Sequence, residues 1–139
     1  MRFDGILVAP KKGEKYWAVA VPSLGIYSQG KNRSDALFMI CDAVEIAADH
    51  KGFKASVEDE VDLGFSLVAN DSKVLLSLLL ERKRSEAGLS IREVARRLKM
   101  RSPNGYAKYE KGEISMSVDQ FEKMLHVIDP KAKVFLKVG

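Results

Sequence analysis

The sequence predicts an α+β fold in two parts, a small β-β-β-α-β domain followed by an all-α domain, and three observations carry that expectation. Residues 3–29 hold short runs in which alternate positions are apolar, the period of a half-buried strand. From Ser72 onward the apolar residues recur at three- and four-residue spacing, and Ser-x-x-Glu and Ser-x-x-Gln strings open two of the segments, as capped helices require. The charge changes sign at the same place. Residues 1–71 carry 8 Lys and Arg against 11 Asp and Glu, net −3, whereas residues 72–128 carry 12 against 7, net +5. Residues 129–139 add 3 against 1, net +2. Domains at 1–69 and 70–139 follow from these switches.

In the first domain, Phe3–Ala9 and Tyr16–Val21 flank the polar Pro10-Lys11-Lys12-Gly13-Glu14-Lys15 and read as a β-hairpin. Trp17, Val19 and Val21 share one face of the second strand. Pro22-Ser23-Leu24-Gly25 is turn chemistry, and Ile26–Gln29 can form a third strand before Gly30. Ser34 is a candidate N-cap for a helix in which Ala36, Leu37, Ile40, Val44 and Ala47 recur at helical spacing to about Asp49. Lys51-Gly52 stops it. Phe53–Glu58 and Gly64–Val68 can each be strands, with the acidic Glu58-Asp59-Glu60 between them as a solvated turn.

The second domain changes period. Asp71 or Ser72 can cap a helix carrying Val74, Leu75, Leu78 and Leu79 and ending near Ala87-Gly88. Ser90-Ile91-Arg92-Glu93 is a capping box for a short helix with Ile91, Val94, Ala95 and Leu98 inward. Ser102-Pro103 opens the next, with Pro at the first position, where no amide hydrogen bond is lost. Tyr106 and Tyr109 form its apolar side and Gly112 its stop. A second capping box, Ser117-Val118-Asp119-Gln120, starts a helix with Phe121, Met124, Leu125 and Ile128, which Asp129-Pro130 breaks. Val134–Val138 alternates weakly and is a candidate last strand.

The hydrophobic content of 46% describes a globular chain, and each part is small enough that mutual packing or oligomerisation is expected. The lone Cys41 excludes an internal disulfide and, among Phe38-Met39-Ile40, reads as a small buried hydrophobe. No apolar run approaches the ~20 residues of a membrane span, and Met1-Arg2-Phe3-Asp4 lacks a signal-peptide core. A cytoplasmic protein is expected. An acidic first part and a basic second part suggest a cationic partner for one and a polyanion for the other.

Four short helices with a tight turn between the second and third suit DNA reading, in which the third helix enters the major groove by its N-terminal end. The string Ala87-Gly88-Leu89-Ser90-Ile91-Arg92-Glu93-Val94-Ala95-Arg96-Arg97-Leu98, then Tyr106, then Tyr109-Glu110-Lys111-Gly112, resembles the lambda-Cro/Xre repressor family over about Ser72 to Ile128. The turn Lys99-Met100-Arg101 departs from that family by lacking its Gly and by one extra residue. The resemblance implies that Pro103, Asn104 and Lys108 take base-facing places, Asn suited to adenine and Lys to guanine acceptors. Gly105 would let the backbone approach DNA closely or relieve crowding beside Tyr106. Ser90, Arg92, Arg101, Ser102 and Lys111 would hold phosphates, although Lys111 and Arg96 are as well explained as solvated surface. The family's Arg–Glu pair maps to Arg84 and Glu110, a structural pair. A single such domain reads a half-site, so a homodimer or higher homo-oligomer on two-fold double-stranded operator DNA is expected. The fourth helix and the Val134–Val138 strand are candidate pairing surfaces.

The first domain has a resemblance of its own. Trp17-Ala18-Val19-Ala20-Val21-Pro22-Ser23-Leu24-Gly25, Gly30, Ser34-Asp35-Ala36 and Asp42-Ala43 are similar to the HicB antitoxin domain over about residues 1–66. The resemblance implies a truncated ribonuclease-H-like α+β fold that binds and inhibits a HicA-like mRNA-cleaving toxin, while the second domain represses its own operon. Trp17 and Tyr27 are toxin-contact candidates by residue type, although core burial is the favoured role for Trp17. The alternative is a transcriptional regulator whose first domain binds a small ligand or dimerises. Asp4, Asp35, Asp42 and Glu45 could be imagined as a metal-binding carboxylate set, but Asp35 sits where a helix dipole favours an acid, and capping or solvation explains the others. His50 and His126 have no partners at metal-ligand spacing. No enzyme, metal or cofactor is expected.

Overall fold

The structure, a computed structural model, describes residues 1–138. The chain divides into two compact units with the boundary between Leu75 and Leu76, inside a helix. The first unit contains β1 (Phe3–Val8), β2 (Trp17–Val21), β3 (Ile26–Gly30), α1 (Arg33–Ala48), β4 (Ala55–Val61) and β5 (Gly64–Ala69). One wholly antiparallel sheet runs in the order β3-β2-β1-β5-β4. Period-two alternation sorts the faces: Leu7, Val19, Val21, Ile26, Phe65 and Leu67 are buried, and α1 packs on β2, β3 and β4 through Ala36, Ile40 and Val44. The other face carries Ile6, Ala20 and Tyr27 in one cross-strand row.

Three expectations for this unit are corrected. The β-β-β-α-β order gains a strand, because both segments after α1 form, as the hairpin β4–β5. The acids Glu58, Asp59 and Glu60 do not make the turn; they lie within β4, beside a register shift, and the turn is Asp62-Leu63. Arg2 pairs with Glu58 and Asp59, and Arg33 with Glu60, so cations distant in sequence steady a strand that local propensity opposes. The helix cap also moves. Asn32, not Ser34, is the N-cap of α1: its side chain accepts from the Asp35 amide at 2.8 Å, and Asp35 accepts from the Lys31 amide at 2.9 Å. β3 runs directly against the start of the helix; a Cβ on Gly30 would lie 2.2 Å from the Ala36 nitrogen.

The remaining helices are α2 (Ser72–Glu86), which contains the boundary, then α3 (Ile91–Arg97), α4 (Pro103–Glu110) and α5 (Val118–Ile128). Asp71 caps α2: its carbonyl accepts from Leu75 and its carboxylate from Val74. Both capping boxes form as the sequence predicts, at Ser90–Glu93 and Ser117–Gln120. The core of the second unit is Leu78, Leu79, Leu80, Val94, Ala95, Tyr106, Phe121, Met124, Leu125 and Ile128. α3 packs on α4 and on α5. The expected last strand is absent: residues 134–138 form no ladder, and Phe135, Leu136 and Val138 are exposed. An apolar alternation without a neighbouring strand to pair with does not make a strand. No helix among the described residues is long and apolar enough to cross a membrane.

Candidate nucleic-acid interface

Helices α2, α3 and α4 end in the same way. In each, the amide two residues past the cap returns to the third-last carbonyl of the helix: Leu89 to Arg84, Met100 to Ala95, and Glu113 to Lys108. The residue before it donates one turn shorter, Gly88 to Ser85, Lys99 to Arg96 and Gly112 to Tyr109. These paired bonds are Schellman motifs and need a left-handed residue at the centre. Gly88 (φ 69) and Gly112 (φ 71) adopt it freely, whereas Lys99 (φ 59) does so with a side chain attached. The turn between α3 and α4 therefore keeps the glycine geometry without the glycine. Sequence reasoning treated Lys99 only as a departure; its position after Leu98, with Met100 next, was the available signal.

Beyond that turn, the Ser102 hydroxyl caps α4 by accepting from the Asn104 amide at 3.2 Å, with Pro103 at the first position. Asn104 and Lys108 are both exposed and lie on one face of α4 at i, i+4 spacing. Pro103 and Gly105 are half-buried. A Cβ on Gly105 would meet only Met100 Sδ, at 3.7 Å. Crowding beside Tyr106 therefore does not explain this glycine. Ser90, Arg92, Arg101 and Lys111 are exposed, as is Ser102. Ser90 accepts from the Glu93 amide at 3.0 Å. Like Ser102, it keeps its own hydroxyl proton available to an oxygen acceptor such as a phosphate. The arrangement thus presents exposed hydroxyl and cationic groups around the N-terminal end of α4.

Behind this surface lies a polar cluster. Arg84 Nε donates to Glu110 Oε1 at 2.6 Å and Nη2 to Oε2 at 3.0 Å, while Nη1 donates to the Leu89 carbonyl at 3.0 Å. The fully buried Tyr106 donates its hydroxyl to Glu110 Oε1 at 2.7 Å. Only 18% of the Arg84 side chain and 6% of the Glu110 side chain are exposed. The Glu110 bond holds the Arg84 guanidinium more firmly protonated than usual. Burial, reinforced by the Glu110 carboxylate, raises the Tyr106 phenol far above its ordinary value. Burial and the like charge of Glu110 also raise the Glu81 carboxyl. Ser77, a polar residue on the apolar stripe of α2 that sequence reasoning passed over, donates to the Tyr109 carbonyl at 2.5 Å. These bonds link α4 to α2 from one turn to the next. Tyr109 itself is half-buried and, with Leu98, Met100, Gln120, Lys123 and Met124, lines a shallow cavity of about 150 Å³.

Residues 75–129 match the family model described as a helix-turn-helix domain. This segment is similar to a helix-turn-helix domain. Such a domain binds DNA, and its match covers α2 from Leu75 through α5. The match supports DNA as the partner of this part of the chain. No curated protein matches the chain.

The toxin-contact candidates fall elsewhere and apart. Trp17 lies on the α1-facing side of β2, opposite Gly30, and is half-buried; Tyr27 is on the other side of the sheet and 70% exposed. The two cannot form one patch. Asp4, Asp35, Asp42 and Glu45 do not converge either: among the described residues no group of three or more His, Cys, Asp or Glu could hold a metal ion. Cys41 is half-buried, and burial together with Glu45 pushes its thiol up to about 11.

Proposed function

We propose that the chain is the antitoxin of a HicAB-like type II toxin–antitoxin pair. In this reading the first part, a truncated ribonuclease-H-like HicB domain, binds and inhibits a HicA-like toxin, and the helix-turn-helix domain binds operator DNA as a homo-oligomer and represses its own operon. The observation that carries it is the pairing, in one chain, of an acidic α+β unit with a basic helix-turn-helix domain. A toxin that acts on RNA must itself carry a basic surface, and an acidic sheet-and-helix unit is its electrostatic complement. The HicB-like string Trp17–Gly25 supports the same assignment: it forms β2 and the tight turn in which Gly25 takes φ 60.

On the DNA side, Asn104 and Lys108 read bases, with Pro103 and Gly105 bringing the start of α4 close to the groove. Ser90, Arg92, Arg101, Ser102 and Lys111 hold phosphates. The test uses the full chain in two assays. Co-expression with a HicA-like toxin is expected to restore growth, and the purified chain is expected to shift DNA from its own promoter at lower concentration than random DNA. Growth arrest that persists despite a folded, promoter-binding chain would leave a regulator without an antitoxin role.

A further inference from the structure

α1 is apolar on nearly every side, although only one side meets the sheet. Its inner row, Ala36, Ile40 and Val44, is fully buried. Two positions on, roughly 200° around the helix, runs the row Phe38, Asp42 and Ile46. Phe38 is 68% and Ile46 70% exposed. A surface helix ordinarily shows charged residues there. Between these two apolar side chains sits the half-buried Asp42, whose carboxylate has no hydrogen-bond or ion-pair partner among the described residues. The nearby Glu45 is engaged, accepting from the Ala55 amide at 3.0 Å and pairing with Lys54.

We infer that the outer face of α1 docks a basic protein surface, with Phe38 and Ile46 as apolar anchors and Asp42 receiving a Lys or Arg between them. This rests on the antitoxin reading and names the surface that would meet the toxin. Charge selects the occupant. If two copies of α1 paired antiparallel across a two-fold axis, Phe38 would meet the other copy's Ile46, and each Asp42 would face its own equivalent in an apolar contact. Like charges there are costly. A cation on the partner removes that cost and satisfies Asp42. The open face of the sheet is the other exposed apolar surface of this unit; Asp4 lies on it opposite Ser66, and its flanking acids Glu58 and Asp59 are held by Arg2. On α1 the unpaired acid stands between two exposed apolar side chains, Phe38 and Ile46.

The probe is a HicA-like toxin titrated against the full-length chain by calorimetry, with promoter gel shifts and thermal melting as controls for folding. Phe38→Ser with Ile46→Ser is expected to raise the dissociation constant about thirtyfold or more, as loss of central anchors does. Asp42→Lys alone should slow association and flatten its salt dependence. Val61→Ser, an exposed position on β4, should change neither. If the wild-type chain binds and the double variant binds equally well, the face is wrong while the antitoxin reading stands. If the double variant keeps its toxin affinity but loses self-association in sedimentation, the face joins copies of this chain and the inference fails. A wild-type chain that never binds the toxin overturns both readings.

Discussion

The guanidinium of Arg84 grips both carboxylate oxygens of Glu110, at 2.6 and 3.0 Å, and spends its remaining nitrogen on the Leu89 carbonyl. One side chain thereby fixes α4 to α2 and closes the C-terminal end of α2. Because the pair is largely shielded from water, removing one member leaves the other charged and uncompensated. Arg84→Ala or Glu110→Ala is expected to cost about 3–5 kcal/mol in denaturant unfolding. An Arg84→Met, Glu110→Leu double variant should lose less than either single change. A cycle showing simple additivity would mean the pair acts as two independent residues.

Glu81 works against the same cluster. Its raised carboxyl means the folded state holds its proton more tightly than the unfolded chain does. Stability from this group is therefore greatest at low pH and declines as pH rises from the ordinary value of 4.5 through the folded-state value. Glu81→Gln should raise the melting temperature at pH 7 and give no gain near the acid end of that window. A benefit independent of pH would point to propensity instead of charge.

Reading and gripping should separate on DNA. Asn104→Ala and Lys108→Ala are each expected to cost about 1–3 kcal/mol on the operator and much less on random DNA. Arg101→Ala and Lys111→Ala should weaken both alike and lower the salt slope by about one unit each. Specificity that survives loss of Asn104 but relaxes on loss of Arg101 would move the base-reading positions toward the turn.

Lys99 offers a gain. Its left-handed backbone serves a motif that two glycines serve elsewhere in the same domain. Lys99→Gly should stabilise the domain by about 0.5–1 kcal/mol, relief of the side-chain clash exceeding the added unfolded-state entropy. Lys99→Ala should give no such gain.

Gly30 offers a loss. Its missing side chain admits the backbone of Ala36, with the Ala36 nitrogen and Cα 2.2 and 2.6 Å from where a Cβ would stand. Gly30→Ala should cost about 1–3 kcal/mol through forced separation of β3 and α1, measured as a lowered unfolding midpoint with an unchanged denaturant slope.

What could be read directly from the residues was chemistry that completes itself within a few positions. Ser90 with Glu93, Ser117 with Gln120, Pro103 behind Ser102, and the stops at Gly88 and Gly112 all lie where their local spacing puts them. What could not be read depended on distant partners. Arg2 steadies Glu58 and Asp59 from the other end of the unit; the cap of α1 is the exception, a local bond from the Asp35 amide to Asn32 where Ser34 was expected. The placement of Trp17 and Tyr27 on opposite faces followed from strand register, which residue type does not encode. For Val134–Val138 the alternation was present but the neighbouring strand was not.

The sheet order carries a consequence for how the chain acquires its shape. β1 lies at the middle of the sheet, and its second neighbour is β5, with Phe3 opposite Leu67. A chain leaving the ribosome must therefore hold its first strand half-paired, one edge open, until some of the last residues of the unit have been made. The helices of the second unit close their contacts over much shorter stretches of sequence. Folding speed falls as contacts reach farther along the chain, so although the sheet is synthesised first, it is the helices that can finish first. The open edge of the waiting strand, from Phe3 to Leu7, is then the backbone exposed longest to other nascent chains.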